Sequence, residues 1–282
     1  PAIKESAAWL KTQGFEVDYA PVDARGFVKV DALANLLRPD TTLVSVMAVN
    51  NEIGSIQPIH DIAALLEDRP TISFHVDAVQ ALAKVATEVY LPERVDFATF
   101  SSHKFHGLRG VGFVYIKEGK KITPLLTGGG QEKEMRSTTE NVAGIAATAK
   151  ALRLAMENQE AFASKTQQMK EVIRKELSNY PDVTIFSGED HFAPHILTFG
   201  IKGVRGEVVV HAFEEFDIYI STTSACSSKA GKPAGTLIAM GVDKSIAQTA
   251  VRLSLDLEND MSQVEQFLTK FKLIYEQTRK VR

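Results

Sequence analysis

Residues 97–113 read FATFSSHKFHGLRGVGF. Val95, Phe97 and Phe100 form an apolar run that ends a buried strand, and a second run begins at Val111 and continues to Ile116. Between them Lys104 sits in a short polar turn, flanked by His103 and His106. A lysine delivered off a strand end into a tight turn points where the active sites of α/β proteins lie, beside the carboxyl ends of the strands. Desolvated in such a place, a lysine loses its proton more easily and becomes a nucleophile toward carbonyl groups.

Working outward, the runs TTLVSVMAV, TISFHV, VDFATF and VGFVYI alternate with helical periodicity such as that over 59–66. This is the pattern of an α/β protein with a mainly parallel sheet. The Gly-rich segment TGGGQEKEMRSTTEN, 127–141, is followed by a helical pattern that runs from Val142 to Leu177. A pattern that long commonly links domains. After it come VTIF, HILTFG, a helix from Gly206 to Phe216, DIYIS, a helix around Leu237, AVRLSL and a terminal helix, which together make a smaller α+β domain. The expected division is a large domain over 1–157 and a small one over 158–282.

Composition narrows the function. The chain has 282 residues, 44% hydrophobic and 24% charged, with a formal net charge of −3. It can bury a full core, and its basic residues are dispersed, which argues against nucleic acid as the main ligand. No apolar run approaches a membrane span, and the first fifteen residues read as an amphipathic helix, so a cytoplasmic location is expected. The single cysteine, Cys226, excludes an intramolecular disulfide and an all-cysteine metal site built by this chain alone.

In TISFHVDAVQ, Asp77 follows a strand of β-branched and aromatic residues and Gln80 comes three positions later. Asp at such a junction is often a helix N-cap. It can also be a carboxylate fixed at a strand end, able to hold a pyridinium nitrogen protonated. Asp77 together with Ser101, His103 and Lys104, all at the expected strand ends, favours the second reading. His75 is expected to be a packed strand residue.

HVDAVQ, SSHKFHGLRGVGFVYIKEG, GGGQEKEMRSTTENVAGIAA, SACSS and AVRLSL occur in this order over essentially the whole chain. This set resembles the cysteine desulfurases of the class V aminotransferase group. The resemblance implies pyridoxal-phosphate fold type I, a homodimer, and removal of sulfur from L-cysteine to give alanine and a protein persulfide. That sulfur serves iron–sulfur cluster assembly or the thiolation of tRNA and cofactors, through sulfur-acceptor proteins. By the same resemblance, Lys104 holds the cofactor covalently and moves a proton, Asp77 partners the pyridine nitrogen, and Gln80 partners the phenolic oxygen. Ser101 and His103 hold the phosphate, Thr139 reaches the phosphate of the neighbouring subunit, and Asn51 contacts cofactor and substrate. Arg252 clamps the substrate carboxylate, where a guanidinium fork suits the task better than a lysine. Cys226, in ISTTSACSSKAGKP, has small polar neighbours; it is expected on an exposed loop, as the thiol that takes the sulfur.

Thr138, Thr223 and Leu108 stand where the family usually has glycine, glycine and proline. Threonine at a position with positive φ would be costly. The family also has an upstream stretch with a phosphate-binding turn and a histidine that stacks on the cofactor. Neither is present here, so the chain is expected to lack its N-terminal segment and to bind cofactor weakly by itself. The alternatives are selenocysteine lyase, another class V activity, or an inactive piece that only binds sulfur-transfer partners.

Overall fold

The computed structural model describes residues 2–223 and 235–281. The chain forms two compact units, one of Asp40–Ala48 and Ile59–Gln159, the other of Pro1–Pro39, Val49–Pro58 and Glu160–Arg282. Where the sequence suggested one division at 157/158, the units are interleaved. The cause lies in pairings that bring early segments to the late half: Ser55 bridges Phe192, and Ile53 packs with Phe186, Phe192 and Leu237.

The parallel-sheet unit contains β1 (Leu43–Met47), β2 (Ser73–Asp77), β3 (Phe97–Ser101) and β4 (Gly112–Ile116), in the order β1-β2-β3-β4. The first two pairings are parallel and β4 is antiparallel to β3. Side chains alternate between faces. Phe74, Val76, Ala98 and Phe100 are buried on one face, and His75, Asp77, Thr99 and Ser101 are half-buried on the other. His75 is a packed strand residue: its Nδ1 lies 2.7 Å from Ser45 Oγ and its Nε2 lies 3.1 Å from Thr99 Oγ1. Burial lowers its pKa, with the charge of Asp77 opposing. At the other end of the sheet, the buried Asp96 accepts from the Phe74 N–H and from Arg94, both at 2.8 Å, and pairs with Lys120 at 3.1 Å. Burial alone would raise its pKa, but these three donors outweigh it and hold the carboxyl below the usual range.

The expected helical run over 142–177 is two helices, α5 (Val142–Glu157) and α6 (Gln159–Leu177). They part at Asn158, which leaves helical geometry at φ −106 and ψ 8 and turns its side-chain amide back to the Leu154 carbonyl at 2.8 Å. Asparagine competes with the helix for its own backbone groups in this way.

The second unit holds an antiparallel sheet of β5 (Val183–Ile185), β6 (Ile196–Ile201), β8 (Ala250–Ser254) and β7 (Ser221–Thr222), in that order. All six residues of β6 are buried. Against the sheet pack α6, α7 (Gly206–Glu214) and α10 (Met261–Val281), through Met169, Ile173, Phe213, Phe267 and Phe271. The rings of Phe213 and Phe267 stack at 5.0 Å, and Phe199 meets Phe271 edge-on at 5.7 Å. The helix expected at the start is α1 (Ala2–Thr12), and none of its residues is buried. Of DIYIS only Ser221 enters a strand, as the first residue of β7, and Asp217, four residues earlier, turns the chain at φ 58.

Candidate active site

Lys104 lies in a one-turn 3-10 helix, Ser102–Phe105, that leaves β3 directly and closes at His106 with φ 65. Ser102 and Phe105 are buried, whereas Lys104 is half-buried and His103 is exposed. The turn is held from several sides. The Ser102 N–H donates to Val111 O at 3.0 Å and the Gly107 N–H to Ser102 O at 2.9 Å. A Cβ on Gly107 would come within 1.9 Å of Ser102 Oγ, so only glycine fits there. Ser102 Oγ lies 2.9 Å from Thr148 Oγ1, and Thr148 in turn donates to Gly144 O at 2.7 Å. The lysine-bearing turn is therefore bolted to α5 through two buried hydroxyls. Sequence reading missed Ser102, Gly107 and Thr148, whose roles depend on a contact across 46 residues.

Asp77 ends β2, and the parallel pairing puts it at the same sheet end as Ser101 on β3. Its Oδ1 accepts the Val79 N–H at 3.1 Å. No helix follows; residues 79–84 form consecutive turns that contain the half-buried Gln80. Ser101 caps the 3-10 turn without a side-chain capping bond. The pKa of His103 is lowered by its slight burial and then by the positive charges of Lys104, Arg109 and Lys84. Arg109 was not singled out from the sequence and Lys84 was expected to be a bystander, yet both add positive charge beside His103. A hydroxyl, an imidazole and that positive potential suit a phosphate. A carboxylate at the strand end suits a ring N–H, and the amine of Lys104 suits a carbonyl. The donor set thus fits the phosphate-bearing carbonyl cofactor expected from the sequence.

Thr139 is exposed, two residues before Asn141, whose side chain caps α5 by accepting the Gly144 N–H at 3.0 Å. Neither Thr138 nor Thr223 is among the described residues with positive φ, so threonine carries no left-handed penalty at either place. The strain lies nearby instead, where Glu132, Lys133 and Glu134 take φ of 53, 55 and 66 in succession. Cys226 lies outside the described residues.

The second unit brings Asn51 and Arg252 together. Residues 49–56 form a hairpin in which Val49 bridges Ile56 and Gly54 turns at φ 83. Asn50 Oδ1 accepts from the N–H groups of Glu52 and Ile53, at 2.8 and 3.0 Å. The Ser187 hydroxyl donates to Ile53 O at 2.7 Å and the Thr198 hydroxyl to Glu52 O at 2.5 Å. Thr198 on β6 is the cross-strand partner of Arg252 on β8. The half-buried Arg252 donates from Nη1 to Asn51 O at 2.8 Å and from Nε to Ser254 Oγ at 3.2 Å. Glu52, beside Asn51, went unremarked in the sequence. Burial raises its pKa, against bonds from Thr236 and the charge of Arg252.

No described helix is long and apolar enough to cross a membrane. The chain is 50% identical over 273 residues to a NifS/IcsS protein homolog of Lactobacillus delbrueckii subsp. bulgaricus, covering 96% of this chain and 71% of that protein. It is 38% identical over 283 residues to the cysteine desulfurase IscS of Clostridium botulinum, covering 99% and 71%. A solved NifS-like protein superimposes with a TM-score of 0.88 at 38% identity, over 99% of this chain and 72% of that one. That similarity bears out the expected α/β fold with its mainly parallel sheet, pyridoxal-phosphate fold type I. The family model for aminotransferase class-V matches residues 2–267, and the chain belongs to that family.

Proposed function

We propose that this chain is a pyridoxal-phosphate-dependent cysteine desulfurase, converting L-cysteine and the Cys226 thiol into L-alanine and a Cys226 persulfide. The observation that carries the reading is the Lys104 turn: an amine at the carboxyl end of a parallel sheet, at the same end as Asp77 and with three cations around His103. The cysteine desulfurase relatives support it. When bound, pyridoxal phosphate supplies an electron sink for the bonds that change at the substrate's α- and β-carbons.

The chain's own residues divide the remaining work. Lys104 would hold the cofactor through its carbonyl and would move the proton at the substrate Cα. Asp77 keeps the pyridine nitrogen protonated, and Gln80 bonds the phenolic oxygen. Ser101 and His103 hold the phosphate, and Thr139 serves the phosphate site of a second copy in a homodimer. Arg252 grips the substrate carboxylate while Asn51 orients the substrate. The Cys226 thiolate attacks the substrate sulfur; the Cβ–S bond breaks, a proton is delivered to the Cβ, and the sulfur stays on the protein. The acceptors are proteins of iron–sulfur assembly or thiolation, and a reducing cytoplasm suits a persulfide carrier.

The test compares the holoenzyme with its Cys226→Ala and Lys104→Ala variants for alanine release from L-cysteine and for the visible absorbance of bound cofactor. The expected result is that Cys226→Ala keeps the absorbance and loses alanine release, while Lys104→Ala loses both. Normal desulfuration by the Cys226 variant would overturn the reading.

A further inference from the structure

Glu52 is a carboxylate that this reaction leaves without a task, yet it sits next to Asn51 on a hairpin held by hydrogen bonds from Ser187 and Thr198. Its carboxyl accepts hydrogen bonds from both the hydroxyl and the backbone N–H of Thr236, and it feels the charge of Arg252. Among the described residues its buried Oε2 has no hydrogen-bond partner. Thr236 is the second residue of α8 (Gly235–Ala239), the first described helix after Cys226 in the chain. Asn50 reaches the same residue, with Nδ2 lying 3.3 Å from Thr236 Oγ1. Two hairpin residues, Asn50 and Glu52, therefore reach the same threonine from far along the chain.

First-turn N–H groups of a helix have no partner within it. A carboxylate from another segment satisfies one of them here and also opposes the first turn's partial positive charge. Burying a carboxyl with one oxygen unsatisfied is costly, so a position that keeps one needs an explanation beyond packing. The same side chain lies within reach of three things: the hairpin that presents Asn51, the guanidinium of Arg252, and the start of α8.

We propose that Glu52 is a positioning residue that ties the start of α8 to the Asn51–Arg252 pair, so that α8 is registered on the group that grips the substrate carboxylate. The functional meaning of Arg252 and Cys226 rests on the desulfurase reading; the tie between Glu52 and Thr236 does not.

The experiment uses the holoenzyme with Glu52→Ala, Glu52→Gln and Thr236→Val. Hydrogen exchange of the amides of residues 235–239 is measured alongside KM and kcat for L-cysteine and the absorbance of bound cofactor. Losing a hydrogen bond to a charged group costs about 1.5–3 kcal/mol, which is roughly tenfold or more in an equilibrium. Glu52→Ala is expected to speed exchange at these amides by about tenfold and raise KM by a similar factor, with cofactor absorbance unchanged. Glu52→Gln keeps a carbonyl for the Thr236 N–H and is expected to restore most of both. Thr236→Val leaves the fold least disturbed and is expected to move both in the same direction by less. Parental exchange in Glu52→Ala would overturn the proposal, as would faster exchange with parental KM and kcat, or a Glu52→Gln variant as defective as Glu52→Ala. Should the parent itself release no alanine, the desulfurase reading falls while the exchange measurements still decide the tie.

Discussion

The Lys104 turn and the Asn51–Arg252 pair are built in opposite ways. The turn is contiguous: strand, serine, lysine, left-handed histidine and glycine follow one another within ten residues, and its backbone bonds span at most that distance. The pair is assembled from residues 201 positions apart and exists only because β6 and β8 pair in one register, with Thr198 opposite Arg252. The lesson is that the lysine proposed to react is carried by a local motif, whereas the pair proposed to bind substrate needs support from several distant segments. The turn has its own distant bolt, the Ser102–Thr148 contact, but that contact holds the turn in place rather than forming it.

The largest effect is expected where the contiguous motif carries the chemistry. Lys104→Ala should lose turnover and bound-cofactor absorbance completely, while its thermal stability differs from that of the cofactor-free parent by only about 0.5 kcal/mol, because a half-exposed lysine contributes little to folding. A large loss of Tm in this variant would break the comparison, since it would make the turn structural. Arg252→Lys tests the other region. It keeps the charge but loses the fork, and KM for L-cysteine should rise roughly 10- to 150-fold, the equivalent of about 1.5–3 kcal/mol, with little change in cofactor content.

Gly107→Ala should destabilise the parallel-sheet unit by about 1–3 kcal/mol, read from the denaturant midpoint, since its Cβ has no room beside Ser102. Thr148→Val should cost about 1 kcal/mol by leaving the buried Ser102 hydroxyl without its acceptor. If either variant were neutral, the turn would be more self-sufficient than the geometry implies.

Lys170 sharpens the comparison from beneath the hairpin. This buried lysine donates to Ala193 O at 2.8 Å, and the Ala193 N–H donates to Gly54 O at 2.7 Å, so it supports the hairpin that carries Asn51. Burial, followed by the charge of Arg174, lowers its pKa to about 8, with Glu171 opposing. Between that value and the ordinary 10.5, the unfolded chain binds the proton that the folded chain has released. Stability contributed by this group therefore rises with pH across that window. The expected result is that the stability difference between the parent and Lys170→Met shifts in favour of the parent as pH increases from about 8 to about 10.5. A difference independent of pH would show that Lys170 keeps its charge throughout.

The smallest effect concerns the strained run in the Gly-rich segment. Lys133 sits at φ 55, where a side chain is unfavourable. Lys133→Gly should stabilise the chain by roughly 0.5–1 kcal/mol, because the relief of the left-handed penalty exceeds the added backbone entropy of the unfolded state.

The four strands of the mainly parallel sheet were legible because β-branched and aromatic residues alternate along them, and Asp77, Ser101 and Lys104 were legible because they end or closely follow those strands. The long helical pattern was read correctly as helix but not as two, since Asn158 breaks it through a side-chain bond that composition does not reveal. The interleaving of the units was hidden, because Ile53 and Ser55 look like ordinary loop residues until their partners at 186–192 are known. Sequence alone thus determined the strand pattern, the lysine in the turn after β3 and the acidic strand end, all set by short-range periodicity and by which residue comes next. Only the tertiary structure decided that Glu52 meets Thr236 and Arg252, that Asn51 meets Arg252 and that Ser102 meets Thr148. Hydrogen bonds of this kind depend on positions fixed to within an ångström by sheet register and core packing, and no local pattern of residue types encodes that alignment.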